Sequence, residues 1–132
     1  MAENHCLALN SQGLVFSWGL SIDGALGYEL LNLEACQLVP KLVKIDEAIS
    51  KIVVGPQNSA FISESGQLYL CGQNYYQSCQ SNTSLNTISS IHRVDSLHHD
   101  ACTDISFSNL SYNILTTQSG KTFELGYSPK HD

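Results

Sequence analysis

Side chains able to do chemistry are few in this chain and poorly placed for it. Metal-ligand types gather once, at His98-His99-Asp100-Ala101-Cys102, but a tetrahedral centre needs spacings such as Cys-x-x-Cys or His-x-x-x-His that turn ligands toward one point. Contiguous residues diverge, so the cluster reads as a solvated loop and no metal is expected. Asp46 and Glu47 are adjacent, and neighbours in extended or turn backbone project to different faces, which is poor geometry for shared acid–base work. There is no Gly-x-x-x-x-Gly-Lys phosphate loop and no nucleophile elbow. The expectation is a protein without catalytic residues or a cofactor, not an enzyme. What remains is the chemistry of binding. Tyr75 and Tyr76 lie in the polar, nearly uncharged stretch Gln73 to Ser90, read as a long loop. Their rings are rigid and amphipathic, of the type that anchors protein interfaces, and they are the candidate partner-binding residues.

The elements that must hold such a loop come from an internal repeat. HCLALNSQGLVFSWG, residues 5–19, recurs as NSAFISESGQLYLCG at 58–72 and as YNILTTQSGKTFELG at 112–126. Gly13, Gly66 and Gly120 are 53 and 54 residues apart, and so are Gly19, Gly72 and Gly126. Each block reads as a β-hairpin: an apolar, β-prone run, a polar turn whose first glycine supplies positive φ, and a second run closed by the second glycine. A glycine at that closing position marks a bulge or a close backbone approach. Ahead of the second block, Ile49 to Val54 reads as an inner strand running into Gly55, with Cys102 to Phe107 as its counterpart. Leu38 to Ile45 reads as an outer strand, where Pro40 is confined to an edge because it cannot donate to a ladder. Four antiparallel strands per period is the content of a propeller blade.

His5-x-Leu-Ala-Leu-x-x-x-Gly13-x-Val-Phe-x-Trp18-Gly19, followed by Asp23-Gly24-Ala25-Leu26-Gly27 and Pro40, resembles the repeat of the regulator of chromosome condensation family. The resemblance implies a seven-bladed β-propeller with repeats of about this length. It weakens down the chain, where Trp18 becomes Cys71 and then Leu125, and Gly24-Ala25-Leu26-Gly27 becomes Gln77-Ser78-Cys79-Gln80. His5 falls at the family's usual histidine position and reads as a structural side chain, hydrogen-bonded to backbone between blades. The expected fold is therefore all-β, an incomplete β-propeller of about two and a half four-stranded antiparallel blades, with repeats at about 4–48, 49–101 and 102–127. The first blade is expected to begin at its second strand and the third to stop after Phe123. Blades bury their faces only against neighbours, so a partial ring leaves open edges through which copies can self-associate, and the chain reads as a fragment or a short member of a larger scaffold.

Composition narrows the partners. Six basic residues against twelve acidic ones give a net charge of −6, and Arg93 is the only arginine, so no basic patch tracks phosphates and no nucleic acid is expected. Leu14 to Leu33 is broken by Ser, Asp, Gly and Glu, so no membrane association is expected. Cys6, Cys36, Cys71, Cys79 and Cys102 are odd in number and lack a pairing rhythm, which fits free thiols in a reducing cytoplasmic or nuclear compartment. The functional expectation is a protein–protein interaction module. The family resemblance alone implies an alternative, guanine-nucleotide exchange on a Ran-like small GTPase.

Overall fold

Short β-prone runs punctuated by glycine turns give ten strands in the computed structural model, which describes residues 5–20, 24–28, 36–55, 58–73, 87–94, 100–107 and 112–126. β1 (His5–Leu9), β2 (Val15–Leu20) and β3 (Cys36–Val43) form one sheet. β4 (Ile49–Val54), β5 (Asn58–Ser63), β6 (Leu68–Gln73) and β7 (Thr87–Arg93) form the second, and β8 (Cys102–Phe107), β9 (Tyr112–Thr117) and β10 (Thr122–Gly126) the third. All pairings are antiparallel between chain neighbours, so the sheets are successive blades of an incomplete all-β propeller.

Three boundaries differ from the sequence reading. The outer strand of the first blade begins at Cys36 and ends at Val43, because Gly19 and Leu20 offer ladder partners to Gln37 and Cys36. Residues 87–90, read as part of the long loop, belong to β7, where Thr87 pairs with Gln73 and Ile88 with Gly72. A waiting sheet edge overrides polar composition there. The last strand runs on to Gly126, paired with Tyr112, rather than stopping at Phe123.

The core is laid down by strand alternation. All six residues of β5 are buried, and successive side chains serve opposite faces of the central blade. Phe61, with Tyr69 and Cys71 of β6, packs toward Val15, Val43 and Ile49. Ala60 and Ile62, with Leu68 and Leu70, pack toward Cys102, Ile105 and Leu115. Each such large apolar side chain taken from water contributes about 1.5–3 kcal/mol. The central blade is thus the filling of a sandwich, with a distinct hydrophobic cluster on each side.

The joints between blades repeat as faithfully as the blades. Ile49 N–H donates to the Gly13 carbonyl (2.9 Å) and Cys102 N–H to the Gly66 carbonyl (2.8 Å). Glu64 N–H donates to Ala48 O (2.9 Å) and Gln118 N–H to Ala101 O (2.8 Å). Ala48 and Ala101 each bridge the hairpin turn of the preceding blade to that of their own. The ladder also slips at Ser50 in β4 and at Thr103 in β8, and each hydroxyl there donates to a carbonyl of the facing strand.

Candidate interaction surfaces

His5 and the Gly24–Gly27 turn make one inter-blade lock. His5 is buried at the start of β1, and its Nε2 lies 2.8 Å from Ser59 Oγ on β5 of the next blade. Ser59 Oγ–H donates in turn to the Ala25 carbonyl (2.7 Å), so the hydroxyl is left to accept and His5 carries its proton on Nε2. The histidine thus meets the next blade through the Ser59 hydroxyl and the Asn58 backbone. Burial pushes the His5 pKa down, opposed by the backbone of Asn58. Ser17 Oγ–H donates to Leu26 O (2.7 Å), and Ala25 and Leu26 are fully buried. Gly24 and Gly27 hold φ of 78° and 86°, and a Cβ on Gly27 would sit 3.0 Å from Val43 Cγ1. These residues hold blades together and present no reactive group to solvent.

A second pair of sites emerges only from the folded chain. Ser65 Oγ–H donates to Glu47 Oε1 (2.6 Å), and the Tyr69 hydroxyl donates to Glu47 Oε2. Fifty-three residues on, Thr117 and Ser119 hydroxyls each donate to Asp100 Oδ2 at 2.6 Å. Each acid precedes a bridging alanine and ties it to the hairpin turn of its own blade. Hydroxyl donors hold both carboxyls below their usual values, while burial and the Glu47 bond push the Tyr69 hydroxyl up to about 12. Glu47 and Asp100 are thus turn clamps. Among the described residues no group of three or more His, Cys, Asp or Glu side chains could hold a metal ion; His98 and His99 lie outside them. The period that aligns the glycines also aligns these acids, which was the available signal.

The remaining repeat positions are structural in placement. Gly13, Gly66 and Gly120 occupy the hairpin turns with φ of 82°, 88° and 87°. A Cβ on Gly13 or Gly66 would run into Ala48 or Ala101, whereas nothing lies within 4 Å of one on Gly120. Gly19 and Gly72 have φ of 111° and 110° and stand where the β2–β3 and β6–β7 ladders slip, beside Trp18 and Cys71. Gly55 N–H donates to Asn58 O (2.9 Å), and a Cβ there would strike the Asn58 side chain and Phe107. Pro40 sits exposed in β3, an edge strand, and Gly126 ends β10. Tyr75 and Tyr76 lie outside the described residues. Gln73, before that segment, and Thr87, after it, are paired across β6 and β7.

Comparison with known proteins agrees with this geometry. A family model described as the Regulator of chromosome condensation (RCC1) repeat matches residues 12–62. The chain is 42% identical over 71 residues to RCC1 domain-containing protein RUG3, mitochondrial, of Arabidopsis thaliana, covering 52% of this chain and 15% of that protein. It is 35% identical over 74 residues to guanine nucleotide exchange factor SRM1 of Saccharomyces cerevisiae, covering 54% of this chain and 15% of the relative. The crystal structure of human WBSCR16 superposes with a TM-score of 0.82 at 18% identity, over 96% of this chain and 32% of that one, a likeness of fold. The chain therefore spans about a seventh of these curated relatives and about a third of the solved propeller.

Proposed function

The chain carries the repeat of the regulator of chromosome condensation family, and on that premise we propose that it is a protein–protein interaction module made of repeats at about 4–48, 49–101 and 102–127. The supporting observation is the register of the central blade. Gln73 and Thr87 are paired, so the residues flanking the segment that carries Tyr75 and Tyr76 are held by the central blade, whose β5 is buried along its whole length. The partner is a protein bound in a reducing nuclear or cytoplasmic compartment, consistent with the free thiols of Cys6, Cys36 and Cys102.

Quantitative mass spectrometry of proteins captured by the wild-type chain and by the Tyr75→Ala/Tyr76→Ala chain tests this reading. At least one protein should be captured by the first and lost from the second. Identical capture by both moves the site off this loop.

The yeast exchange-factor relative favours a second reading, guanine-nucleotide exchange on a small GTPase. Exchange requires a surface that displaces the phosphate and magnesium contacts holding the switch regions. Release of fluorescent nucleotide from Ran-type GTPases in the presence of this chain decides between the two. Acceleration would establish exchange; an unchanged rate leaves the interaction module.

A further inference from the structure

β2 pairs Ser17 with Lys41 and Gly19 with Gln37, so one residue of β2 faces three of β3, and Leu38-Val39-Pro40 bulges from the outer edge of the first blade. Leu38 is 84% exposed and Val39 62%, the two most exposed large hydrophobic side chains among the described residues. Gln37 Nε2–H donates to Val39 O (3.1 Å), which props the bulge. An open depression of about 400 Å³ lined by Cys36, Gln37, Leu38 and Val39 lies beside it.

The central blade shows that this bulge does not need apolar residues. There β6 pairs Leu70 with His92 and Gly72 with Ile88, the same one-against-three slip, and the bulged positions are Ser89, Ser90 and Ile91. One backbone feature thus carries serine twice in one blade and Leu-Val in the other. Stability does not account for the difference, because side chains this exposed bury little on folding.

The same strand argues against a strand-to-strand contact. Pro40 removes a donor, Lys41 adds a charge and the bulge turns the edge away, three devices that block edge pairing between copies. What the edge offers is apolar side chains, Leu38 and Val39 foremost and Leu42 less exposed. β3 and the residue after it also carry Lys41 and Lys44 and no carboxylate, in a chain of net charge −6.

We propose that Leu38 and Val39 form a docking knob for a second protein surface, distinct from the Tyr75–Tyr76 segment, whose partner is an apolar cleft or segment flanked by carboxylates. Oppositely charged rims speed encounter, and the desolvated apolar centre supplies affinity. The proposal goes beyond the loop reading and does not depend on it.

A phage-displayed library of random linear peptides, selected on the wild-type chain and counter-selected on Leu38→Ser/Val39→Ser, tests it. The serine substitutions copy the central blade and should leave the melting temperature nearly unchanged; Leu38→Gln/Val39→Thr serves if that variant does not fold. Selected peptides should combine acidic with large apolar residues. They should bind the knob variant at least tenfold more weakly, bind Lys41→Gln/Lys44→Gln several-fold more weakly at low salt, and bind Tyr75→Ala/Tyr76→Ala as they bind wild type. No enrichment, or peptides indifferent to the knob variant, overturns the proposal. Peptides lost only in the tyrosine variant would overturn it while leaving the loop reading intact. Reduced self-association of the knob variant in sedimentation would assign the surface to a second copy and overturn it as well.

Discussion

His5 Nε2 lies 2.8 Å from Ser59 Oγ, a contact that spans 54 residues and one full repeat. It joins the first strand of one blade to the buried strand of the next, and Ser59 passes the chain of hydrogen bonds to Ala25. The joint between blades is therefore polar at its end and apolar along its length, with Phe61 and Val15 filling the rest. A buried imidazole in such a chain makes the joint sensitive to protonation.

The first prediction concerns pH. Burial lowers the His5 pKa in the folded chain, so the neutral ring is the folded form. A base depressed in this way contributes fully above its unfolded value of about 6.5, and the contribution is lost as pH falls from there toward the folded value. Melting temperature followed by circular dichroism should drop between about pH 7 and pH 5, and His5→Gln should be less stable at pH 7 with a flatter profile over that window. An equally steep profile in the variant would assign the sensitivity elsewhere.

Turn glycines should separate into two classes. Gly120→Ala meets only the left-handed backbone penalty, about 1–2 kcal/mol. Gly66→Ala meets that penalty and also drives a methyl into Ala101, adding about 1–3 kcal/mol of overpacking. Urea unfolding of the two variants should rank Gly66→Ala well below Gly120→Ala, and equal losses would contradict the close approach.

The acid clamps should behave as a matched pair. Glu47→Ala and Asp100→Ala should each lower the melting temperature near neutral pH, because each frees hydroxyl donors on a hairpin turn and loosens a bridging alanine. Both carboxyls have pKa values below their ordinary ones, so the stability they contribute is present above the usual carboxylate range and is lost as pH falls through the lowered values. The gap between each variant and wild type should therefore narrow in acid; a gap constant from neutral to strongly acidic pH would rule out the charged clamp.

Open blade edges carry the fourth. Among the described residues β1, β3, β4, β7, β8 and β10 each have a sheet neighbour on one side only. A polypeptide of these 132 residues should self-associate, chiefly through β1 and β10, since β3 bears proline, lysine and a bulge. Light scattering over a concentration series checks this, and a monodisperse monomer throughout would refute it.

Much of the fold is local and so was legible in the residues. Gly13, Gly66 and Gly120 mark their turns because positive φ is a single-residue demand, and strand alternation announces itself with period two. The repeat told how many hairpins to expect and where their inner strands lie. Other features need two segments brought together. Thr87 and Ile88 look like loop until Gln73 and Gly72 offer them ladder partners. Glu47 and Asp100 look like surface acids until hydroxyls some twenty residues away converge on them. Ser59 resembles any strand serine until His5 and Ala25 close on it from the neighbouring blade. Leu38 and Val39 read as an ordinary edge strand, and only a three-against-one slip in the ladder turns them outward. Turn chemistry and periodicity are written residue by residue, whereas partners, burial and exposure follow from where the blades stack.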